Sequence, residues 1–185
     1  MILKDDNVIV LDFLASGHAR GRREPIAQVL GLKYFSLLEV VIKKDVTVKN
    51  GDKIYIGADK REKVDHIKRR IVVNDLTTFA KSELPFIVKK IVNDDEQKFA
   101  EFFNKAQSVS TRLHQLELLP GVGKKHMWQI IEERKKGPFK DFEDVKKRIK
   151  LMPDPKEAII KRIMEELENE NERYRLFVAG KTRRY

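Results

Sequence analysis

The second half of this chain contains two similar copies of one segment, displaced by 33 residues, so that Leu116 matches Ile149 and Pro120 matches Pro153. Each copy has an apolar stretch, a turn with proline, and a segment whose apolar residues recur at helical spacing. One such unit cannot bury its apolar face alone, so we expect an all-α tandem domain over residues 111–168. The other matched pairs are Leu118 and Leu151, Leu119 and Met152, Met127 and Ile160, Ile130 and Ile163, and Ile131 and Met164.

The turn of the first copy reads Leu-Pro-Gly-Val-Gly-Lys-Lys and ends at Lys125. A Walker loop requires a glycine at the position of Leu118 and a Ser or Thr at that of Lys125, so this class of site is excluded. A dinucleotide fingerprint requires a third glycine where His126 stands and a strand before the turn. The residues before the turn have helical periodicity, so the segment resembles a helix-hairpin-helix. A bare helical turn with a glycine cap is the structural alternative.

The residues of this turn are the first candidates for a binding site. Gly121 and Gly123 permit a tight turn and close approach of another backbone, and Val122 is predicted to point into the core. The N–H groups of Gly123 and Lys124 fall at the start of the second helix, where unpaired amides favour a phosphate oxygen. Lys124 and Lys125 add charge without reading bases. We therefore predict salt-sensitive binding of a phosphate backbone, largely independent of sequence.

The second copy lacks these glycines. The repeat places Asp154, Pro155 and Lys156 opposite Gly121, Val122 and Gly123. A carboxylate at this position repels phosphate, so we predict that the second hairpin is structural and that Lys156 makes at most a peripheral contact.

The charge of the whole chain agrees with a polyanionic partner. The 185 residues include 39 Lys and Arg against 29 Asp and Glu, a formal net charge of +10. The sequence contains no long apolar run and no signal-peptide pattern, which indicates a soluble, cytoplasmic protein without a membrane partner. It contains no cysteine, and its four histidines lack metal-site spacing, so we expect no cofactor and no dedicated metal site.

The first 75 residues are predicted to form strands. Short β-branched segments with Gly-containing turns favour a small closed barrel of the OB or S1-like kind, because closure removes exposed strand edges. The segment 25–31, Pro-Ile-Ala-Gln-Val-Leu-Gly, is interpreted as a helical turn that caps the barrel. The candidate strands cover residues 7–14, 35–44, 46–57 and 66–73.

Two basic groups in this module are further candidates. Residues 16–24 form an Arg- and Gly-rich loop in which Arg20, Arg22 and Arg23 are predicted to clamp phosphates, with simple solvation as the alternative. Lys68, Arg69 and Arg70 cannot all face one side of a strand. We therefore expect at least one of them to pair with Asp65 or Asp75 and the others to bind nucleic acid.

The remaining segments are predicted from periodicity. Residues 76–110 form a helical spacer, capped by Asp75 or Thr77 and interrupted or restarted near Pro85. A second helix over residues 94–107 places Phe99, Phe102 and Phe103 on one face, which is typical of core packing rather than base stacking. Residues 173–179 alternate as a strand that packs back on the barrel, and residues 180–185 form a basic tail.

The succession of motifs resembles a known family. REPIAQVLG, VDHIKRRI, AKSELP, FFNKAQ, TRLHQLELLPGVGKKHMWQIIEERKKGPFKDFEDV and YRLFV are similar to an archaeal domain-of-unknown-function family whose members are regarded as nucleic-acid-binding proteins. The resemblance implies an α+β chain with an OB/S1-like barrel and a tandem helix-hairpin-helix domain, without assigned catalytic residues. The wider helix-hairpin-helix class also implies a monovalent cation at the backbone carbonyls of Glu117, Leu119 and Val122.

Three functions are compatible with these patterns. The first is a monomeric, nonenzymatic protein that binds nucleic acid, with RNA slightly preferred over DNA because S1-like barrels bind RNA. The second is a protein-interaction adaptor on a translation or other nucleic-acid machine. The third is a nuclease, which is disfavoured because Glu132 and Glu133 have no Asp or His partner at metal-site spacing. We therefore predict that the protein is not an enzyme.

Overall fold

The first part of the chain folds into strands where β-branched residues are dense. The computed structural model describes residues 4–21 and 23–180, with α+β secondary structure. The first five strands are β1 (Asn7–Leu14), β2 (Ile26–Gly31), β3 (Leu37–Ile42), β4 (Lys53–Tyr55) and β5 (Val64–Arg70).

These strands form one antiparallel sheet in the order β4-β1-β2-β3-β5, curled into a half-barrel. The expected closed barrel is wrong, because among the described residues no pairing joins β4 to β5. Strand β4 is only three residues long, and the expected strand near residue 46 is absent. A groove lies at the open seam, lined by Ile56, Gly57 and Ala58 after β4 and by Ile67 and Arg70 on β5.

The segment 25–31 is not a helical turn. Residues 26–31 form β2, the middle strand of the sheet, and all six are buried. A strand buried on both faces is an uninterrupted apolar run, so its sequence lacks the alternation that marks a half-exposed strand. Gln28 is the polar exception, and its side chain bonds to the Asp75 carbonyl and the Thr77 N–H.

The spacer is helical, with one correction at its proline. Helix α1 (Thr78–Asp94) runs through Pro85 without a break, and the Thr77 hydroxyl caps it by accepting from the Ala80 N–H. Helix α2 (Glu96–Lys105) follows. Phe99 and Phe103 are buried as predicted, and the half-buried Phe102 packs edge-on against Phe103 with ring centroids 5.8 Å apart.

The second half of the chain is helical but not all-α. Strands β6 (Ser108–Ser110) and β7 (Leu113–His114) form a small hairpin, and a 3₁₀ helix (Gln115–Leu118) stands where the α-helix before the turn was expected. His114 and Glu117 bond to the backbone at the start of the 3₁₀ helix and so favour this short element. The three helices that follow are α3 (Lys124–Lys136), α4 (Phe142–Arg148) and α5 (Pro155–Glu168).

The internal repeat is visible in the burial of its matched residues. Leu116 and Ile149 are both buried, as are Ile130 and Ile163. Leu151 departs from the pattern, since it is 91% exposed with a left-handed φ of 62°. Met127 and Ile160 are also both buried, so three of the six matched apolar pairs share a core role, whereas the turn of the second copy has its own conformation.

Residues 173–179 pack on the first module, but they do not form the expected strand. The Ala179 N–H donates to the Tyr34 carbonyl over 3.0 Å, and Arg70 donates to the Ala179 carbonyl. The buried Glu166 carboxylate accepts from the N–H groups of Leu176, Phe177 and Val178. A side chain takes these amides, so no strand ladder is available to them.

The chain divides into two units. The first contains the described residues up to Ile87 together with those from Glu166 onward, and the second is Val88–Glu165. The first unit therefore includes the half-barrel and the C-terminal segment, whereas the second includes both copies of the repeat. In the part of the chain that the structure describes, no helix is long and apolar enough to cross a membrane.

Candidate functional site

Helix α3 begins without a side-chain cap. Gly123 is its N-cap residue, with φ −92° and ψ −175°, and among the described residues no side chain accepts from its first-turn N–H groups. A Cβ added at Gly123 would meet no atom within 4 Å, and its φ is ordinary for any residue. Packing therefore does not require glycine here, and its absence of a side chain leaves the amides accessible to an external acceptor.

Gly121 has a different role. Its φ is +79°, and an added Cβ would lie 2.7 Å from Cγ of Pro153 in the second copy. Both the left-handed conformation and the proline contact require glycine. Val122, between the two glycines, is buried as predicted and anchors the turn to the core.

The second copy shows how an anion occupies such a helix start. Oδ1 of Asp154 accepts from the N–H groups of Lys156 over 3.0 Å and Glu157 over 3.1 Å at the start of α5. Asp154 directly precedes α5, as Gly123 directly precedes α3, and its side chain supplies the cap that Gly123 lacks. The sequence repeat, in contrast, aligns Asp154 with Gly121. The Lys156 ammonium pairs with Glu96.

The lysines around α3 fall into two groups. Lys124 and Lys125, at its start, are exposed and form no ion pair within the described chain. Lys135 and Lys136, at its end, pair with Glu132 and Glu133. Only the first two therefore combine mobile positive charge with open backbone amides.

The three basic residues of β5 have partners inside the first unit. Lys68 pairs with Glu24 over 2.5 Å, and Arg69 pairs with Glu39 over 2.8 Å and with Asp75 over 3.4 Å. Arg70 donates to the Ala179 and Gly180 carbonyls. The expected pairing with Asp75 is confirmed for Arg69, and a ligand would have to compete with these contacts.

Glu39 is the centre of that polar cluster and is fully buried on β3. Burial raises the pKa of its carboxyl, but hydrogen bonds from Arg69, His18 and Gln28 outweigh burial and hold the pKa below its ordinary value. The bond to Glu39 in turn raises the pKa of Arg69. The sequence indicated that at least one of the three basic residues of β5 forms an ion pair, but not with Glu39, because Glu39 stands in an otherwise apolar strand.

The Arg-rich loop is tied to the same cluster. His18 Nε2 lies 2.7 Å from Glu39 Oε1, which anchors one side of the loop to the sheet. Arg20 and Arg23 are exposed, whereas Arg22 lies outside the described residues. The structure thus places two of the three predicted arginines in solvent on a loop that is held at His18.

A groove beside α3 contains a residue that the sequence analysis missed. One wall is the β6–β7 hairpin with its turn at Thr111 and Arg112, and the other is the face of α3 with Lys124, Trp128 and Ile131. We call it the Trp128 groove, and its volume is about 480 Å³. The Trp128 side chain is 59% exposed. The helical spacing of Met127, Ile130 and Ile131 defines the buried face of α3, and Trp128 lies one residue off that face, which is the signal that could have found it.

The predicted cation carbonyls lie just before α3. Glu117 lies in the 3₁₀ helix, and Leu119 and Val122 belong to the turn that follows it. The Leu119 carbonyl accepts from the Val122 N–H over 3.1 Å, so this oxygen is already used once. A carbonyl oxygen has a second lone pair, which leaves the cation site a prediction.

The chain matches a family over nearly all of its length. The family described as a protein of unknown function, DUF655, matches residues 4–179. The chain belongs to this family. An uncharacterized protein from Methanocaldococcus jannaschii is 44% identical over 173 residues, which cover 93% of this chain and 79% of that protein. The crystal structure of Af1531 from Archaeoglobus fulgidus, assigned to DUF655, has a TM-score of 0.84 and 48% identity, covering 95% of this chain and 100% of that one.

Both of these relatives are archaeal, so the expected archaeal family of unknown function is confirmed. Within the described part of this DUF655 chain, no group of three or more His, Asp or Glu residues could hold a metal ion. Glu132 and Glu133 both belong to ion pairs. A hydrogen bond from Lys136 is the main cause that holds the pKa of Glu133 below its ordinary value.

Proposed function

We propose that this protein binds the phosphate backbone of nucleic acid, with little dependence on sequence and without catalysing a reaction. The observation that carries the proposal is the contrast between two helix starts. The amides of α5 bind the Asp154 carboxylate, whereas those of α3 have no side-chain cap and lie beside Lys124 and Lys125. A phosphate oxygen would supply to α3 the acceptor that Asp154 supplies to α5.

The proposal includes a finer interpretation of the two units. We interpret the segment from the 3₁₀ helix to α3 and the segment from α4 to α5 as a tandem helix-hairpin-helix, and the half-barrel as OB- or S1-like. The net charge of +10 supports attraction to a polyanion. We favour RNA over DNA because barrels of this kind bind RNA, and we expect a cytoplasmic monomer. Crosslinking in native cells, followed by sequencing of the bound nucleic acid, identifies the polymer.

Gly123→Asp tests the proposal while it preserves the fold. The new carboxylate should cap α3 as Asp154 caps α5, so thermal stability should be unchanged or slightly higher. Occupied amides and added negative charge should weaken binding of a labelled oligonucleotide by about tenfold or more, measured by fluorescence anisotropy at low salt. Asn171→Asp adds the same charge at an exposed position and should bind as the wild type does.

Salt dependence tests the lysines separately. Each phosphate contact contributes about one unit to the slope of log affinity against log salt concentration. Lys124→Gln or Lys125→Gln should therefore reduce this slope by about one, whereas Lys135→Gln, which removes the partner of Glu132, should leave it unchanged. A wild-type affinity that is independent of salt, or equal slopes in all variants, contradicts the proposal.

The adaptor function is the second candidate, and exposed aromatic residues on α1 favour it. Phe79 and Phe86 are two turns apart and are 50% and 69% exposed. If the protein is an adaptor, Gly123→Asp should leave nucleic-acid binding unchanged. The double variant Phe79→Ser, Phe86→Ser should then no longer bind the partner protein in a pull-down. Retained binding of that partner would reject the adaptor function.

A further inference from the structure

The Trp128 groove has features that backbone phosphate binding does not use. Its α3 wall carries Lys124 and Trp128, which are four residues apart and therefore share one helix face about 6 Å apart along the axis. A single exposed aromatic residue is ordinary on a protein surface. Here, however, the indole stands one turn from the uncapped start of α3, at a distance comparable to one extended nucleotide.

The groove also has the shape and charge for a nucleotide. Its volume of about 480 Å³ lies within the ~300–1,000 Å³ that is typical of small-molecule sites. Lys124 and Arg112 line it, and neither side chain forms an ion pair within the described chain. The Glu117 carboxylate also lines it, but this carboxylate already accepts from the His114 N–H over 2.9 Å. The Glu117 carboxylate keeps its negative charge, but Lys124 and Arg112 outnumber it, so the net charge along the groove is positive.

His114 and Arg134 also line the groove, and their hydrogen bonds fix the structure of its wall. Burial, and then the nearby Arg134, lowers the pKa of His114, and its Nδ1 accepts from the Leu116 N–H. His114 is thus neutral near pH 7, with Nε2–H as its remaining donor. Arg134 donates to the carbonyls of Phe103, Asn104 and Ala106 and fixes the end of α2 against α3.

We propose that the Trp128 groove binds one unstacked base of a single-stranded nucleic acid, with the base on the Trp128 indole and the adjoining phosphate at the start of α3. The inference rests on the proposed phosphate binding and makes its target more specific. Bases in a duplex are paired and stacked on each other, so their faces cannot reach the indole. Single strands therefore bind more tightly than duplexes of the same sequence.

The experiment uses the full chain, in which Trp128 is the only tryptophan. Intrinsic fluorescence then reports directly on the groove. Binding of a labelled single-stranded RNA and of its duplex is measured by anisotropy, while Trp128 emission is followed in parallel with unlabelled RNA. The single strand quenches Trp128 as it binds, and the duplex leaves the emission unchanged. AMP, the mononucleotide alone, quenches only at much higher concentration because it lacks the neighbouring phosphates.

Variants connect the signal to affinity. Trp128→Ala weakens single-strand binding by about 5- to 100-fold, and Trp128→Phe retains most of the affinity. Phe86→Ala, which removes another exposed aromatic residue, has no effect. Single-strand binding without quenching, with Trp128→Ala unaffected, overturns this inference and leaves phosphate binding intact. Equal quenching by the duplex, or by AMP at the same concentration, also overturns it. Absence of binding to either RNA at low salt overturns both proposals.

Discussion

At the scale of single residues, the two glycines of the first turn differ in what they do. The sequence predicted that both serve a tight turn and a close approach, and it could not separate the two roles. The structure assigns the left-handed conformation and the contact with Pro153 to Gly121, and leaves Gly123 unconstrained by any neighbour. The distinction depends on contact between the two copies, which no local pattern contains.

The first prediction is that Gly121→Ala destabilises the protein by about 2–4 kcal/mol, because it adds backbone strain and a clash with Pro153. Gly123→Ala should cost about 1 kcal/mol or less, since only the N-cap preference changes. Urea denaturation of both variants measures the difference. Equal stability of the two variants would show that Gly121 is not confined as described.

Glu39 is the other residue that sequence analysis could not find. A carboxylate among the apolar residues of β3 gives no periodic signal, and its partners come from β2, β5 and the Arg-rich loop. The cluster explains why Arg69 is committed to an internal contact. It also makes the stability of the first unit dependent on one ionised carboxyl.

The second prediction follows from the pKa of Glu39, which is lower in the folded state than its ordinary value of 4.5. A depressed folded pKa stabilises the protein above the unfolded pKa, and this stabilisation is lost as the pH falls through the folded pKa. Glu39→Gln should therefore cost about 1–3 kcal/mol near pH 7 and progressively less below pH about 4.5. Denaturation at several pH values tests this; a difference that stays constant into the acid range would exclude it.

At the scale of elements, prediction succeeded where β-branched residues are dense along a short segment. The bounds of β1 were predicted correctly from its β-branched residues, although Val8 to Leu11 are all buried. Strand β2 was mistaken for a helical turn because Pro25 precedes it and its sequence lacks alternation, and the 3₁₀ helix was missed because four residues are too few to show a period. The proline rule also failed in α1, where packing of the buried residues on either side of Pro85 maintains the helix.

The third prediction concerns that proline. Pro85 lacks the N–H that would bond to the Lys81 carbonyl, and its side chain is exposed. Pro85→Ala should restore the bond and raise the free energy of unfolding by about 1–3 kcal/mol. Thermal unfolding followed by far-UV circular dichroism measures the change. Ser82→Ala, on the same helix, controls for a general effect of alanine, and a lower melting temperature for Pro85→Ala would contradict the prediction.

At the scale of the whole molecule, the chain returns to its first unit, where Glu166 holds the C-terminal segment to the end of α5, while Tyr34 and Arg70 hold it to the half-barrel. Glu166 is fully buried, and its carboxylate holds the amides of Leu176, Phe177 and Val178 at 2.7, 3.1 and 2.9 Å. The sequence predicted this return from the alternation of residues 173–179, but it attributed the contact to strand pairing. A carboxylate that accepts backbone hydrogen bonds in place of a neighbouring strand can be identified only when the fold is known.

The fourth prediction is that Glu166→Gln releases the C-terminal segment. The amide lacks the charge that strengthens these three bonds, and each bond to a charged group contributes about 1.5–3 kcal/mol. Trypsin should then cleave faster after Arg173 and Arg175 in the native state. Glu165→Gln makes the same chemical change at the exposed neighbouring position and should keep the wild-type cleavage rate. Equal rates in the two variants would contradict the role of Glu166.

The return of the chain has a further consequence for the order in which the protein forms during translation. The second unit is one continuous stretch of chain, whereas the first unit needs the residues from Glu166 onward. The whole second unit is therefore synthesised before the first unit is complete. Until residues near Ala179 emerge, Phe35, Leu37 and Ile71 lack the apolar partners that Val178 and Ala179 supply. The half-barrel is therefore synthesised first and completed last, and its apolar surface at Phe35, Leu37 and Ile71 stays uncovered during this interval.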